Sequence, residues 1–409
     1  MKMSDKKSTK IEDVLTEQQL QDIASRCVAG QVVGRVLRPA SEGLGGFLGD
    51  HFRLTLEVQA DDQRRTLPLF VKRVPLHNEG KLAFVRENAF FEREMTVFKL
   101  LEDMETGPTP WAPKALFYSD SVLVMPDLAP EGYSVRDHLQ TFDLPHIMAT
   151  LTSVARFHAG CANLETNRGL ALKRPYSIME DQGKIIVESN FQDTPWIHAA
   201  AKLTTNIIRK FTKYNFEETD VLKQFLASFN DPAESKGLNV IIHKDLWVNN
   251  IMFKYENDVP INAILLDFQC ARYGPPAFDI AVLLYTTTSR SFREKHEDAI
   301  LRHYFKIFTE SLNVDTKVRL KDLGYDYEEF LRWFEISRRF GMVVTLILFP
   351  YFLMDPVTAH AVFNNPLTFE RVAFEDRTPE VLAHIERCPQ YGERMVEVTE
   401  EFVERCLRH

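Results

Sequence analysis

The pattern of hydrophobic and polar residues changes its period about a third of the way along the chain. In the first part, short stretches such as Phe52-Arg-Leu-Thr-Leu-Glu-Val58 alternate with a period of two, which is typical of half-buried antiparallel strands. Strands are predicted over residues 32–37, 51–58, 67–74, 115–118 and 121–125. Between the third and fourth strands, one helix is predicted over residues 81–102.

Beyond residue 127 the period becomes helical, apart from a strand-rich interlude between Asn239 and Phe268. Helices are predicted over residues 144–161, from 281 through 308, over 327–353 with a break near Pro350, and at the C-terminus. A hairpin is predicted inside the interlude, with strands over residues 251–255 and 261–266. A small β-rich lobe followed by a large helical lobe is an α+β fold. The expected divisions are residues 1–30 for a tail and lead-in helix, 31–127 for the N-lobe and 128–409 for the C-lobe.

Composition and charge exclude several classes of protein. The chain has 409 residues, of which 45% are hydrophobic and 26% charged, which is ordinary for a globular protein. A net charge of −9 disfavours nucleic acid as a partner. The five cysteines form no spacing typical of a disulfide framework or zinc ribbon. The N-terminus has no apolar signal-peptide region, and the longest apolar run, residues 340–354, is shorter than the roughly 20 residues that span a membrane. We therefore expect a cytoplasmic monomer without a membrane partner.

Three polar residues at the strand ends of the interlude carry the candidate chemistry. Asp245 follows an apolar strand in His243-Lys-Asp245-Leu-Trp-Val-Asn-Asn250, and Asp267 ends the hairpin in Asp267-Phe-Gln. The hairpin brings Asp267 back beside Asn250, an arrangement typical of phosphoryl transfer with magnesium. Asp245 could orient the proton of an attacking hydroxyl, while Asn250 and Asp267 offer oxygen ligands to a metal. The alternative is a hydrophobic hairpin with an aspartate turn at each end, which the ordered set of motifs disfavours.

A strand lysine and a helix glutamate form the second predicted pair. Lys72 lies in the third predicted strand, after a glycine-rich loop and before the helix, which is the order of a kinase small lobe. At 100° per residue, Glu94 lies beside the apolar stripe of Phe91, Met95 and Phe98, which makes it the expected partner.

Two other glutamates compete with Glu94 for this role. Glu92 lies on the opposite side of the predicted helix and is excluded, whereas Glu87 shares the face of Glu94 two turns earlier and stays an alternative.

The glycine-rich loop is a weaker signal. Gly43, Gly45 and Gly49 give G-x-G-x-x-x-G, one residue longer than the protein-kinase loop. Glycines there permit close backbone approach to phosphates, although a flexible β-turn explains them as well. The sequence contains no G-x-x-x-x-G-K-[ST] motif, which excludes a P-loop enzyme.

Motifs of other enzyme classes are incomplete. The segment Gly132-Tyr-Ser-Val-Arg136 lacks the last glycine of a nucleophile elbow. His296-Glu297 is followed by His303, seven residues after His296, whereas an H-E-x-x-H zinc site needs a spacing of four.

Several further residues are interpreted as structural. His158 is expected to be a packing residue, and Asp279 an N-cap at the start of a helix. The aromatic residues Trp196, Trp333 and the segment 349–352 could line an apolar acceptor pocket, but a place in the core is preferred.

The motifs together resemble those of the ecdysteroid kinase-like family, also called CHK kinase-like proteins. Asp245-Leu-Trp-Val-Asn-Asn250 and Asp267-Phe-Gln carry the resemblance, which extends from about Gln31 to the C-terminus. The family is grouped with aminoglycoside phosphotransferases and choline kinases, which share the protein-kinase architecture. Glu94 stands at the position of the family's helix glutamate, and Asp127 with Leu128 at its hinge. Lys244 replaces the commoner glycine after the histidine.

The resemblance implies an ATP- and Mg²⁺-dependent kinase with a small-molecule alcohol as acceptor, an ecdysteroid or another hydroxylated compound. It implies catalytic roles for Asp245, Asn250, Asp267 and Lys72, nucleotide contacts from Lys72, Glu94, Gly43, Gly45, Asp127 and Leu128, and metal ligation by Asn250 and Asp267. A catalytically weak pseudokinase or a ligand-binding module of the same fold is the second hypothesis. A protein kinase ranks third, because no A-P-E segment or long activation loop follows Phe268.

Overall fold

The predicted α+β class is confirmed, with a β-sheet in the N-terminal part and helices through most of the C-terminal part. A computed structural model describes residues 10–40, 48–104, 107, 109–188, 191–229, 237–363 and 365–408. Helical segments precede the first strand and follow the third. The candidate active site lies where the sheet faces the helical part.

The N-lobe is a five-stranded antiparallel sheet in the order β1-β2-β3-β5-β4. Its strands are β1 (Gln31–Pro39), β2 (Asp50–Ala60), β3 (Gln63–Arg73), β4 (Phe117–Tyr118) and β5 (Val122–Pro126). The predicted alternation holds in β2, where Phe52, Leu54, Leu56 and Val58 are buried and the residues between them are not. Helix α1 (Glu17–Cys27) begins at a capping box of Thr16 with Gln19 and packs its apolar face on the sheet.

The single helix predicted over residues 81–102 is wrong, because the chain forms two helices there. Helix α2 (Glu79–Glu87) ends at Asn88, and α3 (Phe90–Glu102) begins after Ala89. Ala89 has a φ of 52°, a left-handed conformation that a continuous helix cannot contain. The helical register is therefore interrupted at Ala89, and a helical wheel cannot be carried from Glu87 to Glu94.

The C-lobe is built from helices around a large apolar core. They are α4 (Leu144–Leu172), α5 (Met179–Gln182), α6 (Pro195–Phe211), α7 (Glu218–Phe229), α8 (Ala277–Thr287), α9 (Arg290–Ser311), α10 (Val314–Asp322), α11 (Tyr327–Phe352), α12 (Pro356–Phe363), α13 (Thr378–Arg387) and α14 (Pro389–Phe402). Helices α8 and α11 pack so closely that a β-carbon on Gly341 would lie 2.9 Å from the backbone of Ala281. A break is predicted near Pro350, but helix α11 continues through this proline and ends two residues later, at Phe352.

The predicted hairpin is confirmed as β8 (Ile251–Glu256) and β9 (Val259–Leu265), which pair antiparallel across a two-residue turn. Asn257 and Asp258 both have positive φ, as a type I′ turn requires. A short strand β6 (Tyr133–Ser134) pairs with β8, and β7 (Val240–Ile242) pairs with β10 (Arg272–Gly274). The two sheets are separate, and the end of β7 meets the end of β9 through a hydrogen bond of His243 with the carbonyl of Leu266.

Among the described helices, no single one is long and apolar enough to cross a membrane. Helices α11 and α12 together reach that length and composition, with a bend of 99° between them.

Candidate active site

Lys72 connects the sheet to α3 and to the segment that follows β9 in the C-lobe. Its Nζ lies 2.7 Å from Glu94 Oε2 and 2.7 Å from Asp267 Oδ1. The amide oxygen of Gln269 accepts a third hydrogen bond from the same ammonium at 3.0 Å. The residues that the sequence places on β3, on α3 and after β9 thus converge on one buried charge.

Helix α3 is fixed in this position by the residue next to Glu94. The Arg93 guanidinium donates to the backbone carbonyls of Ile185 and Gln269, both at 3.0 Å. Glu94 is buried, whereas Glu87 and Glu92 are exposed. The predicted ion pair of Lys72 with Glu94 is present, and Glu87, the alternative partner, lies on a different helix.

Burial and charge pull the pKa of Lys72 in opposite directions. Burial lowers the pKa of Lys72, but the carboxylates of Asp267 and Glu94 outweigh that effect and hold it above its ordinary value. Burial raises the pKa of Glu94, and the negative charge of Asp267 adds to this rise. The ammonium is therefore charged, and two carboxylates compete for it.

The loop after β7, which the sequence predicts to be catalytic, is held by a buried carboxylate. Asp279 accepts hydrogen bonds from the backbone N–H groups of His243 and Lys244, both at 2.7 Å. His158 Nε2 lies 3.0 Å from the same carboxylate, and its Nδ1 lies 2.7 Å from the hydroxyl of Tyr304. The interpretation of Asp279 as an N-cap is wrong: α8 begins two residues earlier, and the side chain caps the loop instead of its own helix.

His243 ties this loop to the end of β9. Its Nε2 donates to the carbonyl of Leu266 at 2.8 Å, and its Nδ1 accepts from the N–H of Asp245 at 3.3 Å. Burial lowers the pKa of His243, which favours the neutral ring that this pattern needs. The ring of His243 also lies 4.8 Å from that of Phe268. The motif before the hairpin and the motif after it are therefore in direct contact.

Asp245 and Asn250 form the next pair. The amide Nδ2 of Asn250 donates to the backbone carbonyl of Asp245 at 2.8 Å and to its Oδ2 at 3.0 Å. Burial, and then the charge of Asp267, raise the pKa of Asp245 to about 7. A carboxyl group with such a pKa is suited to accept a proton near neutral pH.

Asp267 and Asn250 are the residues that could hold a metal. No group of three histidine, cysteine or acidic residues with metal-binding geometry occurs in the described part of the chain. Mg²⁺ is commonly held by one or two carboxylates together with substrate phosphates. The Asp267 carboxylate is 21% exposed, and the amide of Asn250 uses its nitrogen toward Asp245, which leaves its oxygen for a ligand. These donors fit Mg²⁺.

A cavity of about 430 Å³ opens directly above these residues. Its polar floor contains Lys72, Glu94, Asp245, Asn250 and Asp267. Apolar residues of the sheet, the predicted hinge and the hairpin region line one side: Phe70, Met125, Leu128, Met252 and Leu266. We call this side the nucleotide half, because the sequence predicts the nucleotide there.

The opposite side of the cavity, which we call the acceptor half, is lined by Phe84, Phe191, Trp196, Trp247, Leu348, Tyr351, Phe352 and Pro356. Trp247 stacks on Phe352 with a ring separation of 3.7 Å. Trp196 and Phe352 are only partly buried, so the preference for a core position is wrong for these two, whereas Tyr351 belongs to the buried core and also borders the cavity. Trp333 is buried away from the cavity, as preferred.

The predicted hinge borders the nucleotide half. The N–H of Asp127 donates to the carbonyl of Pro68 at 3.0 Å, and its side chain lies 3.4 Å from Arg53. Of the predicted glycine loop, Gly43 and Gly45 lie outside the described residues. At Gly49 a β-carbon would come within 3.1 Å of the Arg73 carbonyl, so this glycine lies against the sheet close to Lys72.

Sequence reasoning missed several residues that shape the site, namely Asp279, Gln269, Trp247, Glu188 and Arg272. A signal existed for Asp279, because a carboxylate inside the apolar run Ala277–Thr287 has to find a buried partner. The other four are recognisable only when distant segments are packed together.

The chain is similar to one family model and to several solved structures. A family model described as the ecdysteroid kinase-like family matches residues 44–314. Among solved structures, the chain is similar to a type I macrolide 2′-phosphotransferase, with 16% identity, 82% of this chain and 90% of that one covered, and a TM-score of 0.39. A choline/ethanolamine kinase family protein from Mesorhizobium loti gives 12% identity, 94% and 98% coverage, and a TM-score of 0.41. The ethanolamine kinase of Plasmodium vivax gives 10%, 88% and 84%, and 0.42. No curated protein sequence matches.

Proposed function

The chain belongs to the ecdysteroid kinase-like family, and we propose that it transfers the γ-phosphoryl group of ATP to a hydroxyl group of a small, largely apolar molecule. The observation that carries the proposal is the convergence of Lys72 with Glu94 and Asp267 on the floor of a cavity that also contains Asp245. In this proposal, residues 31–127 bind the nucleotide together with the hairpin of the C-lobe, and residues 128–409 supply the catalytic loop and the acceptor half.

Lys72 and the hinge would bind the nucleotide. The ammonium of Lys72 is a fixed positive charge for phosphate oxygens, and Glu94 and Gln269 orient it. The N–H of Leu128 makes no hydrogen bond within the described part of the chain, so it is available to a nucleotide base, whereas that of Asp127 is used by Pro68. Apolar side chains above and below, such as Phe70 and Leu266, would enclose the base.

Asp245 would position the acceptor hydroxyl. Its carboxylate is oriented by the amide of Asn250 and lies on the floor between the two halves. As the hydroxyl attacks, Asp245 accepts its proton, a task for which its raised pKa is suited. Asp267 and Asn250 would hold Mg²⁺, which when bound neutralises charge on the phosphates.

The acceptor half supports an uncharged, apolar acceptor. Its lining is aromatic and aliphatic, and the acidic residues of the cavity lie on the floor and at the hinge. A polycationic acceptor would need carboxylates in that half to replace its hydration. A hydroxylated steroid or a comparable flat alcohol matches the stacked surface of Trp247 and Phe352 better.

The test combines turnover with nucleotide binding. We expect ATP consumption with hydroxylated apolar compounds and none with aminoglycosides, measured over one panel with the purified chain. Mg²⁺-ATP should raise the melting temperature of the wild type but not that of Asp267→Ala, because that variant lacks the charged metal ligand. Equal Mg²⁺-ATP stabilisation of both proteins would place the metal elsewhere. Stabilisation without turnover of any acceptor would favour the pseudokinase alternative.

A further inference from the structure

A buried cluster of three charges lies behind the catalytic loop. The Nζ of Lys244 lies 2.8 and 2.9 Å from the two carboxylate oxygens of Glu188, and Arg272 lies 3.3 Å from the same carboxylate. The side chains of Lys244, Glu188 and Arg272 are 2%, 12% and 3% exposed. Burial raises the pKa of Glu188, but Lys244 and Arg272 outweigh this effect and lower it to about 2. The Glu188 carboxylate is therefore ionised, while burial lowers the pKa of the Lys244 ammonium that contacts it.

The backbone of Lys244 is strained. Its φ is 66°, in the left-handed region that glycine adopts without cost and a lysine does not. The residue directly precedes Asp245, and Asp279 holds its N–H. The lysine occupies this position despite its unfavourable backbone conformation, and its side-chain contacts are the interactions that offset the strain.

These contacts lead to the acceptor half of the cavity. Glu188 also accepts a hydrogen bond from the N–H of Phe191 at 2.9 Å. The ring of Phe191 lies 4.8 Å from the Lys244 ammonium and 5.6 Å from the ring of Trp196. Phe191 and Trp196 both line the acceptor half. A continuous chain of contacts thus joins the residue beside Asp245 to the wall against which the acceptor would pack.

We propose that Lys244 is a positioning residue, whose ion pair with Glu188 holds the aromatic wall of Phe191 and Trp196 at a fixed distance from Asp245. The inference rests on the proposed function for its kinetic readout. It assigns Lys244 to acceptor binding and not to nucleotide binding, since its ammonium lies against Phe191 of the acceptor half, whereas the ammonium of Lys72 is held by Glu94 and Asp267.

Three substitutions at residue 244 separate charge, bulk and backbone strain. Lys244→Met keeps most of the bulk and removes the charge, Lys244→Gly removes the side chain and relieves the strain, and Lys244→Arg keeps the charge. We expect the Met and Gly variants to raise the KM for the acceptor roughly tenfold, with the KM for ATP changed by less than about twofold. Lys244→Arg should restore most of the acceptor affinity.

The Gly variant makes the test independent of stability. Because glycine adopts this φ freely, Lys244→Gly should melt at a higher temperature than Lys244→Met and yet show the same acceptor defect. If the Gly variant binds the acceptor like the wild type, Lys244 is merely structural and the proposal is overturned. An equal rise of both KM values would overturn it as well.

A second buried ion pair provides the matched control. Arg293 and Glu401, whose side chains are 5% and 2% exposed, lie 2.5 Å apart and line none of the cavity. Arg293→Met should lower the melting temperature and leave the ratio of the two KM values at the wild-type level. If Arg293→Met shifts that ratio as Lys244→Met does, the kinetic defect reflects general destabilisation and the proposal fails.

Tryptophan fluorescence tests the wall without turnover. Trp111 and Trp333 are 1% and 2% exposed, so in a Trp247→Phe background acrylamide quenching reports mainly on Trp196. Quenching should increase in Lys244→Met and Lys244→Gly and return to the reference level in Lys244→Arg. Unchanged quenching contradicts the inference, whereas absent turnover in the wild type contradicts the proposed function alone.

Discussion

The polar floor and the acceptor half of the cavity are adjacent, but they are assembled in different ways. The floor comes from short motifs in which each residue has a neighbour that orients it, as Asn250 orients Asp245 and Glu94 orients Lys72. The acceptor half takes single aromatic residues from separate elements, such as Trp196 from α6 and Phe352 from α11. Because the floor residues orient one another, we expect the floor to determine the reaction. The acceptor half can be reshaped by substituting one residue at a time.

The largest expected effect breaks the floor. Asp245→Asn should lower kcat at least ~100-fold with every acceptor, because a positioned proton acceptor is lost. Its fold should be kept, since asparagine has the same shape and the partner amide of Asn250 remains. Steady-state kinetics and thermal melting check both statements. A folded variant with near-normal turnover would remove Asp245 from this role.

A smaller effect is expected from the acceptor half, and it should depend on the acceptor. Trp247→Ala removes the ring that stacks on Phe352 and should raise the KM for apolar acceptors about tenfold, which is within the range for losing an aromatic contact. The KM for ATP should stay close to the wild-type value. Trp333→Ala deletes an equal ring outside the cavity, so it should lower the melting temperature and leave both KM values unchanged. Equal KM changes in the two variants would contradict the division into halves.

The smallest effects test the register of α3. Glu94→Gln should raise the KM for ATP roughly fivefold, because the Lys72 ammonium loses one charged partner and keeps Asp267 and Gln269. Glu87→Gln and Glu92→Gln should stay within about twofold of the wild type, since both side chains are exposed. An ATP defect in Glu87→Gln without one in Glu94→Gln would mean that Glu87, and not Glu94, is the partner of Lys72.

Local pattern was enough to predict the sheet, the hairpin and the α+β class. The alternation of β2 and the apolar strands of the hairpin each have a period that one segment reveals by itself. The break between α2 and α3 was not predictable in this way, because it depends on Ala89 at positive φ, where no glycine or proline announces a helix end.

The residues of the floor were predicted from the sequence more completely than those of the cavity walls. Lys72, Glu94, Asp245, Asn250 and Asp267 meet as their motifs suggested, although their roles stay predictions. The positions of Trp196 and Phe352 were not predictable, because an aromatic residue on an amphipathic helix faces a core or a cavity depending on what packs opposite. Tertiary packing decides between core and cavity, and the spacing of residues within a helix carries no information about that choice.

The two hydrogen bonds of Arg93 have a consequence for motion. They join α3 to the carbonyls of Ile185 and Gln269. The side chain of Gln269 also accepts a hydrogen bond from Lys72, so α3 and β3 are both tied to this one residue of the helical lobe. A displacement of α3 against that lobe therefore strains the contacts of Arg93 and Lys72 together, and the two elements are expected to move as one unit.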